Sequence, residues 1–228
     1  PLTTAGALAY PGAGSGFNDV NSPSWIWAFD LTEELGHQLI DWWGQMDPFT
    51  YSYAWAGDHK SIDDALYAQI DASDVRKTQF GTGTAPLQAI NKFFDPNRTI
   101  GGQYIITTDL IFMRVEEFYL LSAESAARTG NEAAAKATMI EMLDNRMPNA
   151  ASTVNALSGT ALQEFIYLQT RVELWGEGKT YFAMKRNQAT VTRGTNHVYR
   201  AGETFVWDSD EMSFQIPESE INNNPSIS

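Results

Sequence analysis

The clearest pattern along the chain is the helical spacing of apolar residues in its second half. This spacing predicts a helix from Asp109 to Thr129, and Gly130 stands where a helix-ending glycine is expected. Asn131 is suited to cap a second helix that runs to about Met147 and is stopped by Pro148. The remaining elements predicted for this half are a polar loop over residues 150–159, a third helix over 160–179, a short fourth helix over 181–187, and irregular chain with one or two short strands over 198–220.

The first half of the chain shows shorter and weaker patterns. Large apolar residues alternate from Ser24 to Asp30 and predict a short strand, and Thr32 is suited to cap a short helix that runs to about Trp43. Ser61 is placed to cap another short helix over residues 62–70, and residues 103–107 are predicted to form a second strand. Glycine, proline and polar residues interrupt the rest, so long loops are expected there.

Two helices that are joined by a tight Gly-Asn turn and closed by a proline have the size and punctuation of a tetratricopeptide-type hairpin. We therefore predict a mainly α fold of helical hairpins with long irregular loops and a few short strands. The pattern divides the chain into a loop-rich aromatic region over residues 1–108, a helical hairpin block over 109–190 and an irregular C-terminal segment over 191–228. These regions are expected to form one structural domain, and a single hairpin is expected to be part of a larger helical array.

Composition narrows the class of partner. The chain has 228 residues, of which 43% are hydrophobic, so it is long enough to bury a sizeable core. Its net charge of −13 opposes binding to nucleic acid and to anionic membrane surfaces, and neutral or cationic partners are favoured. The absence of cysteine excludes disulfides and thiolate metal sites. No hydrophobic run in the sequence is long enough to span a bilayer.

Charged residues recur on the predicted helices at spacings that bring them together. One face of the first long helix carries, at intervals of three and four residues, Arg114, Glu117, Leu121, Glu124 and Arg128. Glu173 and Glu177 lie four residues apart on the third helix and would repel each other without cations nearby. The candidates to pair with them across helices are Arg114, Arg146 or Arg171. We predict that these side chains hold helix against helix and take no part in catalysis.

Several motifs, in order along the chain, resemble those of the SusD/RagB family. Residues 114–124 resemble its Arg-x-x-Glu-x-Tyr-Leu-x-x-Ala-Glu signature, and residues 171–178 are similar to its Arg-x-Glu-Leu-x-x-Glu-Gly motif. Residues 216–225 match its terminal Ile-Pro-x-x-Glu-Ile-x-x-Asn-Pro motif. Further elements that resemble the family are Asp74-Val75-Arg76, Gly130-Asn131 and Asn145-Arg146. The chain departs from the family pattern at Gln169-Thr170, Thr180 and Ala183, and the resemblance covers roughly residues 70–228.

The resemblance implies an outer-membrane lipoprotein of Bacteroidetes that lies on the cell-surface face. Such proteins sit over a TonB-dependent, SusC-like transporter barrel and capture glycans or other nutrients for import without turning them over. Their lipidated cysteine and most of their helical repeats belong to the N-terminal half, so this chain resembles the C-terminal portion. The expected partners are therefore an oligo- or polysaccharide and the barrel, with membrane association only through a lipid anchor absent from this chain, and no enzyme activity or cofactor is expected.

Carbohydrate is commonly bound on exposed aromatic faces that stack against sugar rings, with polar groups bonding the hydroxyls. The candidate ligand-binding residues lie in a turn-rich region of the first half and are Trp42, Trp43, Tyr51, Tyr53 and Trp55. Core packing is an equal alternative for Trp42 and Trp43. For Trp25 and Trp27, packing in the core or within a strand is the favoured interpretation.

Two other classes of function stay open. A glycoside hydrolase with a helical fold would place two carboxylates across an aromatic cleft. A protein–protein interaction module would dock through the helical hairpin and keep its aromatic residues in the core. The three histidines are scattered and lack metal-ligand spacing, so no metal is expected from them, although calcium bound by loop oxygens is compatible with the sequence.

Overall fold

The computed structural model describes residues 1–81 and 85–226, and helices predominate in those ranges. The α-helices are α1 (Ala5–Leu8), α2 (Trp42–Met46), α3 (Tyr53–Ala56), α4 (Asp64–Ala68), α5 (Val115–Arg128), α6 (Glu132–Leu143), α7 (Ala150–Asn155), α8 (Gly159–Glu173), α9 (Thr180–Arg186) and α10 (Glu218–Asn223). The strands are β1 (Trp25–Phe29), β2 (Leu110–Arg114), β3 (Val191–Thr192) and β4 (Thr204–Phe205). Short 3₁₀ helices cover Glu33–Leu35, Val75–Gln79 and Asp210–Met212. The prediction of a mainly α fold with long loops and few short strands is confirmed.

Helices α5 and α6 form the predicted hairpin. Gly130 follows α5 with a backbone φ of 82°, a left-handed conformation that glycine adopts without steric cost. The Asn131 side chain then accepts a hydrogen bond from the Ala134 N–H and caps α6. The hairpin packs with α7 and α8 around one apolar core, whose fully buried members include Leu120, Met139, Met142, Leu143, Leu162 and Ile166. Burial of these side chains is the main stabilising term for the helical block.

The residues just before α5 form a strand, so the prediction that this helix begins at Asp109 is wrong. Strand β2 pairs antiparallel with β1, with Leu110 opposite Phe29 and Ile111 opposite Ala28. Ile111 enters a second core together with Leu8, Phe17, Trp43, Phe93 and Ile106. The partner strand lies about eighty residues upstream, so local spacing carries no sign of the pairing.

Several other boundaries also differ from prediction. The helix expected from Thr32 to about Trp43 is replaced by the 3₁₀ turn Glu33–Leu35 and by α2, and residues 103–107 make only an isolated bridge from Gln103 to Thr50. The helix expected over 62–70 shortens to α4, because the Asp63 side chain caps it by accepting from the Leu66 N–H. Parts of the predicted loop over 150–159 and of the irregular C-terminal segment are helical, as α7 and α10.

One face of the β1–β2 pair is aromatic and exposed. The ring centroids of Trp27 and Phe112 lie 4.5 Å apart, and Phe29 contacts both rings at 6.0 Å. Trp27 is about half exposed and packs against rings of its own sheet, whereas Trp25 is partly buried against the second core. The interpretation of these two residues as core or strand packing is confirmed. The pairing register of β1 shifts between Trp25 and Trp27, which interrupts the alternation of the strand, so the two rings do not share one face.

A buried cluster of eight charged side chains joins the loops to the helical block. Its cations are Arg76, Lys92, Arg114 and Arg146, and its carboxylates are Asp74, Glu116, Glu173 and Glu177. Four positive and four negative charges sum to zero. Such balance is required for burial, because an isolated ion in an apolar interior costs several kcal/mol.

Glu173 is the centre of this buried charge cluster. Its carboxylate lies 2.9 Å from the Arg76 guanidinium, 2.7 Å from that of Arg114 and 2.9 Å from that of Arg146. Burial by itself raises the pKa of the Glu173 carboxyl, but the three guanidinium groups outweigh it and hold that pKa well below its usual range. Glu177 binds Arg114 at 2.8 Å and Lys92 at 2.9 Å.

The predicted pairing of Glu173 and Glu177 is confirmed for Arg114, and that of Glu173 for Arg146. Arg171, the third candidate, does not pair with them and lies on a different surface. The outer carboxylates also join helices as predicted: Glu117 lies 3.1 Å from Lys179, and Glu124 lies 3.2 Å from Arg186 on α9. Within the described ranges, no helix is both long enough and apolar enough to cross a membrane.

Candidate functional site

Three exposed rings form an aromatic cluster on the loop-rich side of the chain. The Tyr51 and Tyr104 rings are stacked, with centroids 4.5 Å apart and planes inclined by 19°, and the Trp55 centroid lies 5.0 Å from that of Tyr51. The exposed fractions are 36% for Tyr51, 42% for Trp55 and 66% for Tyr104. Rings that are held together and still open to solvent are suited to stack against the apolar face of a sugar. We call Tyr51, Trp55 and Tyr104 the aromatic cluster.

Backbone hydrogen bonds and short caps hold the aromatic cluster in place. The Tyr51 N–H donates to the Gln103 carbonyl at 2.9 Å, which ties the two segments that carry the stacked tyrosines. Ser52 caps α3 by accepting from the Trp55 N–H at 3.0 Å, and its hydroxyl donates to the Asp47 carbonyl at 2.9 Å. The rings therefore stand on a support that is ordered before any ligand arrives.

Asp47 is the buried anchor of this support. One carboxylate oxygen accepts from the Phe49 N–H at 2.9 Å and the other from the Asp95 N–H at 2.8 Å. Asp95 in turn accepts from the Gln103 side-chain amide at 2.7 Å, which completes a chain of bonds to the Tyr104 segment. Burial raises the pKa of Asp47 to about 7, although the two backbone N–H groups act in the opposite direction.

Gly101 lies directly under the Trp55 indole. Its backbone has a φ of 60°, and a Cβ atom placed there would lie 3.0 Å from indole atoms. A glycine at this position therefore allows the backbone to lie against the ring without a clash. It also allows the left-handed backbone conformation of the turn.

The structure separates the five predicted site residues into two groups. Tyr51, Tyr53 and Trp55 are exposed. Tyr53 precedes Trp55 by two helical positions, about 200° around α3, so its ring projects away from that of Trp55.

Trp42 and Trp43 lie at the second core. Trp43 is 1% exposed, and its placement in a binding surface is wrong, because its ring packs edge-on to Trp42 at 4.9 Å and leaves no face for a ligand. Trp42 is partly buried, with its ring 4.7 Å from that of Phe93. The sequence did not indicate Tyr104 as a member of the site. It lies 53 positions after Tyr51, and only the folded chain brings the two rings together.

A cleft of about 840 Å³ opens next to the segment that follows α3. Its walls come from residues 57–61, from the turn between α8 and α9 with Trp175, and from residues 196–198. The last of these segments is fastened to α4, because Asp63 accepts from the Gly194 N–H at 2.6 Å and contacts the His197 ring nitrogen at 2.9 Å. The volume lies within the usual range for a small-molecule site.

Arg171 faces this cleft, and its environment differs from that of the other arginines of the family motifs. Among the described residues its guanidinium has no hydrogen-bond acceptor and no carboxylate in ion-pair range. The guanidinium carbon lies 5.7 Å from the centroid of the Tyr167 ring. The other two charged residues of the cleft are Asp58 and Lys60, which neutralise each other at 2.8 Å. Arg171 therefore leaves the cleft with one uncompensated positive charge.

No metal site emerges from the part of the chain that the structure describes. Within residues 1–81 and 85–226, no group of three or more histidine, aspartate or glutamate side chains is arranged to hold an ion. The suggestion of calcium bound by loop oxygens stays a prediction without a location.

Comparison with solved structures shows the fold of the chain. It superposes on a SusD superfamily protein from Bacteroides vulgatus with a TM-score of 0.74 and 18% identity, covering 100% of this chain and 50% of that one. A SusD superfamily protein from Bacteroides thetaiotaomicron matches with a TM-score of 0.66 and 18% identity, over 99% of this chain and 51% of that one. A SusD-like carbohydrate-binding protein from Bacteroides vulgatus matches with a TM-score of 0.61 and 22% identity, over 90% and 48% respectively. The chain thus spans about half the length of these structures.

Sequence comparison agrees with the fold. No curated protein matches the chain. The model of the SusD family matches residues 70–228, which include the three long helices, the C-terminal motif and all eight members of the buried charge cluster. On this match and on the fold, the chain belongs to the SusD family.

Proposed function

We propose that the chain binds glycan at the cell surface as the non-catalytic, nutrient-binding component of a TonB-dependent uptake system. The observation that carries the proposal is the aromatic cluster, whose three rings are exposed, mutually packed and held by the Asp47 support. Each ring that stacks on a sugar is expected to contribute about 1 kcal/mol. The chain's membership of the SusD family, and its likeness to a structure described as a SusD-like carbohydrate-binding protein, support the same ligand class.

The carboxylates near the two surfaces support binding without turnover. Hydrolysis of a glycosidic bond usually needs two carboxyl groups that face each other across the substrate. Among the described residues that line the cleft, Asp58 alone carries a carboxylate, and it is paired with Lys60. Asp47 has the raised pKa of a general acid, but it is fully buried and both of its oxygens accept backbone N–H groups.

The location and the protein partner are proposed from the family resemblance. The chain would lie on the outer face of the outer membrane, joined to it by a lipid anchor on another part of the protein, and would pass ligand to a SusC-like barrel. Labelling of intact cells with an antibody to this chain tests the location. Signal only after the cells are permeabilised would contradict it.

Affinity electrophoresis in gels that contain neutral polysaccharides tests glycan binding. We expect the chain to be retarded by at least one polysaccharide, and we expect Trp55→Ala and Tyr104→Ala each to reduce its affinity by about two- to twelvefold. Trp27→Ala and Tyr199→Ala are matched controls, because they remove exposed rings of the same types from other surfaces. Repeating the gels with a chelator tests the calcium prediction.

Three results would contradict the proposal in different ways. If the cluster variants migrate like the wild type in a gel that retards it, the aromatic cluster is not the binding surface. Release of reducing sugar from the bound polysaccharide would indicate a glycoside hydrolase. Absence of retardation in every gel would favour the interaction module, although the exposure of Tyr51, Tyr53 and Trp55 already contradicts the view that all the aromatic residues are core.

A further inference from the structure

The cleft beside Arg171 has the features of a second binding site, distinct from the aromatic cluster. Arg171 stands two positions before Glu173 on α8, at the start of the family motif, yet it takes no part in the buried charge cluster. Successive positions on a helix are separated by about 100°, so a residue two positions from the buried Glu173 points to the opposite side of α8. There it lines the cleft together with Trp175, which lies one turn further along.

The electrostatics of the cleft favour a ligand with a single negative charge. Guanidinium groups in partly buried positions normally find a carboxylate or several acceptors, because five N–H donors are otherwise left to solvent alone. Arg171 has neither among the described residues, in a chain whose net charge is −13 and in which carboxylates are abundant. The Asp58–Lys60 pair cancels, and the Asp63 carboxylate is bound to the His197 ring nitrogen at 2.9 Å and to the Gly194 N–H at 2.6 Å. A polyanion would still be repelled by the chain as a whole.

The walls of the cleft indicate what carries that charge. Trp175 and Tyr181 contribute aromatic surface, and neighbouring groups hold both rings in place. Trp175 packs on the Phe80 ring at 5.2 Å, and the Tyr181 hydroxyl donates to the Met212 carbonyl at 3.0 Å. A cleft that combines fixed aromatic rings with one free guanidinium suits a ring-shaped ligand that bears a carboxylate.

We propose that this cleft binds a saccharide that bears a carboxylate, with Arg171 as the group that recognises the acid and Trp175 and Tyr181 in contact with the sugar ring. The planar guanidinium fork matches a carboxylate in a two-point hydrogen bond, whereas a neutral hydroxymethyl group offers no such match. This inference does not depend on glycan binding at the aromatic cluster.

Isothermal titration of the chain at low salt with a matched pair of disaccharides tests the proposal. Cellobiouronic acid and cellobiose differ by one carboxylate in place of one hydroxymethyl group. We expect the acid to bind at least about tenfold more tightly than cellobiose, and we expect this preference to weaken as salt is raised. Acetate is the third ligand, and it should bind more weakly than the acid disaccharide because it has no ring.

Two variants separate recognition by Arg171 from the general charge of the protein. Arg171→Gln should abolish the preference for the acid, and Arg171→Lys should keep part of it, since the charge stays and the fork is lost. Lys136→Gln is the control, because it changes the net charge by the same amount as Arg171→Gln. Lys136 lies on α6 outside the cleft and has no carboxylate partner in the described structure. It should change the affinity for the acid by less than about twofold. Circular dichroism should show the same helical content for all three variants.

The proposal is overturned if cellobiose binds as tightly as the acid, if acetate binds as tightly as the acid, or if Arg171→Gln behaves like Lys136→Gln. Trp55→Ala should leave binding of the acid unchanged. A chain that binds neutral polysaccharide but shows no preference for the acid would retain the function proposed above and lose only this second site.

Discussion

Replacement of Glu173 by glutamine removes one negative charge from the centre of the buried charge cluster and changes the shape of the side chain very little. Glu173 is 2% exposed, and its two oxygens accept from the guanidinium groups of Arg76, Arg114 and Arg146. After the substitution four cations face three carboxylates, and an amide N–H₂ group is turned toward at least one guanidinium. The variant therefore carries one unbalanced positive charge in a region that water does not reach.

The expected cost follows from the burial of the cluster. Removal of one partner from a buried ion pair typically destabilises a protein by about 3–5 kcal/mol, because the remaining charge stays desolvated. Domains are stable by only about 5–15 kcal/mol in total, so the loss is a large fraction of the free energy of unfolding. For a chain of this length, each kcal/mol of destabilisation lowers the Tm by about 2–4 °C, so we expect a fall in Tm of roughly 6–20 °C.

Thermal and urea unfolding followed by far-ultraviolet circular dichroism measure this effect. Glu164→Gln is the matched control, because Glu164 is an exposed residue of the same helix and has no ion pair in the described structure. It should change the free energy of unfolding by no more than about 0.5 kcal/mol. If the two variants unfold with the same midpoint, the cluster does not stabilise the fold and the reasoning is refuted.

Three further predictions concern acid sensitivity and the support of the aromatic cluster. Because the pKa of Glu173 is lowered in the folded state, its contribution to stability is complete above its unfolded pKa of 4.5 and is lost as the pH falls below that value. The urea midpoint should therefore decrease from about pH 5 downward, and the Glu173→Gln variant should show a shallower decrease. The contribution of Asp47 to stability changes with pH in the opposite direction. Its pKa rises from 3.8 to about 7 on folding, so the free energy of unfolding should fall by on the order of 4 kcal/mol between pH 4 and 7. Asp47→Asn cannot accept both backbone N–H groups, and it should lose this pH dependence and bind polysaccharide more weakly in affinity gels. Gly101→Ala should weaken polysaccharide retention, because the added methyl group displaces the Trp55 indole. The control is Gly130→Ala, since Gly130 also has a left-handed backbone but has open space around it; this variant should lower the free energy of unfolding in urea by about 1 kcal/mol and leave retention unchanged. Equal retention by both variants would contradict the role given to Gly101.

The long helices and their ends were predictable because their signals are local. Apolar spacing marks α5, α6 and α8, and the Gly130-Asn131 turn carries both the helix stop and the next cap. Strand β2 was not predictable in the same way. Its residues continue the apolar pattern of α5, and only pairing with β1 from the distant N-terminal region makes the extended conformation the better one.

The charged residues show the same division. Opposite charges at suitable spacings indicated that Glu173 needs cations, and Arg114 and Arg146 were named correctly. Arg76 enters the cluster from a short 3₁₀ helix and Lys92 from a loop. No local spacing relates these distant segments to a face of α8. Among the three candidate arginines, only the tertiary structure decided which ones pair, since the direction of Arg171 on α8 places it away from the cluster.

The sequence by itself determined the helical class, the family and the need to neutralise buried carboxylates, because periodicity, caps and motif order are properties of neighbouring positions. Tertiary structure alone decided which aromatic rings are exposed. Trp43 and Trp55 stand in the same aromatic region of the sequence, yet one is sealed in the second core and the other lies open beside Tyr51 and Tyr104. Burial depends on contacts between segments that are distant in the chain, and a linear pattern of residues does not contain them.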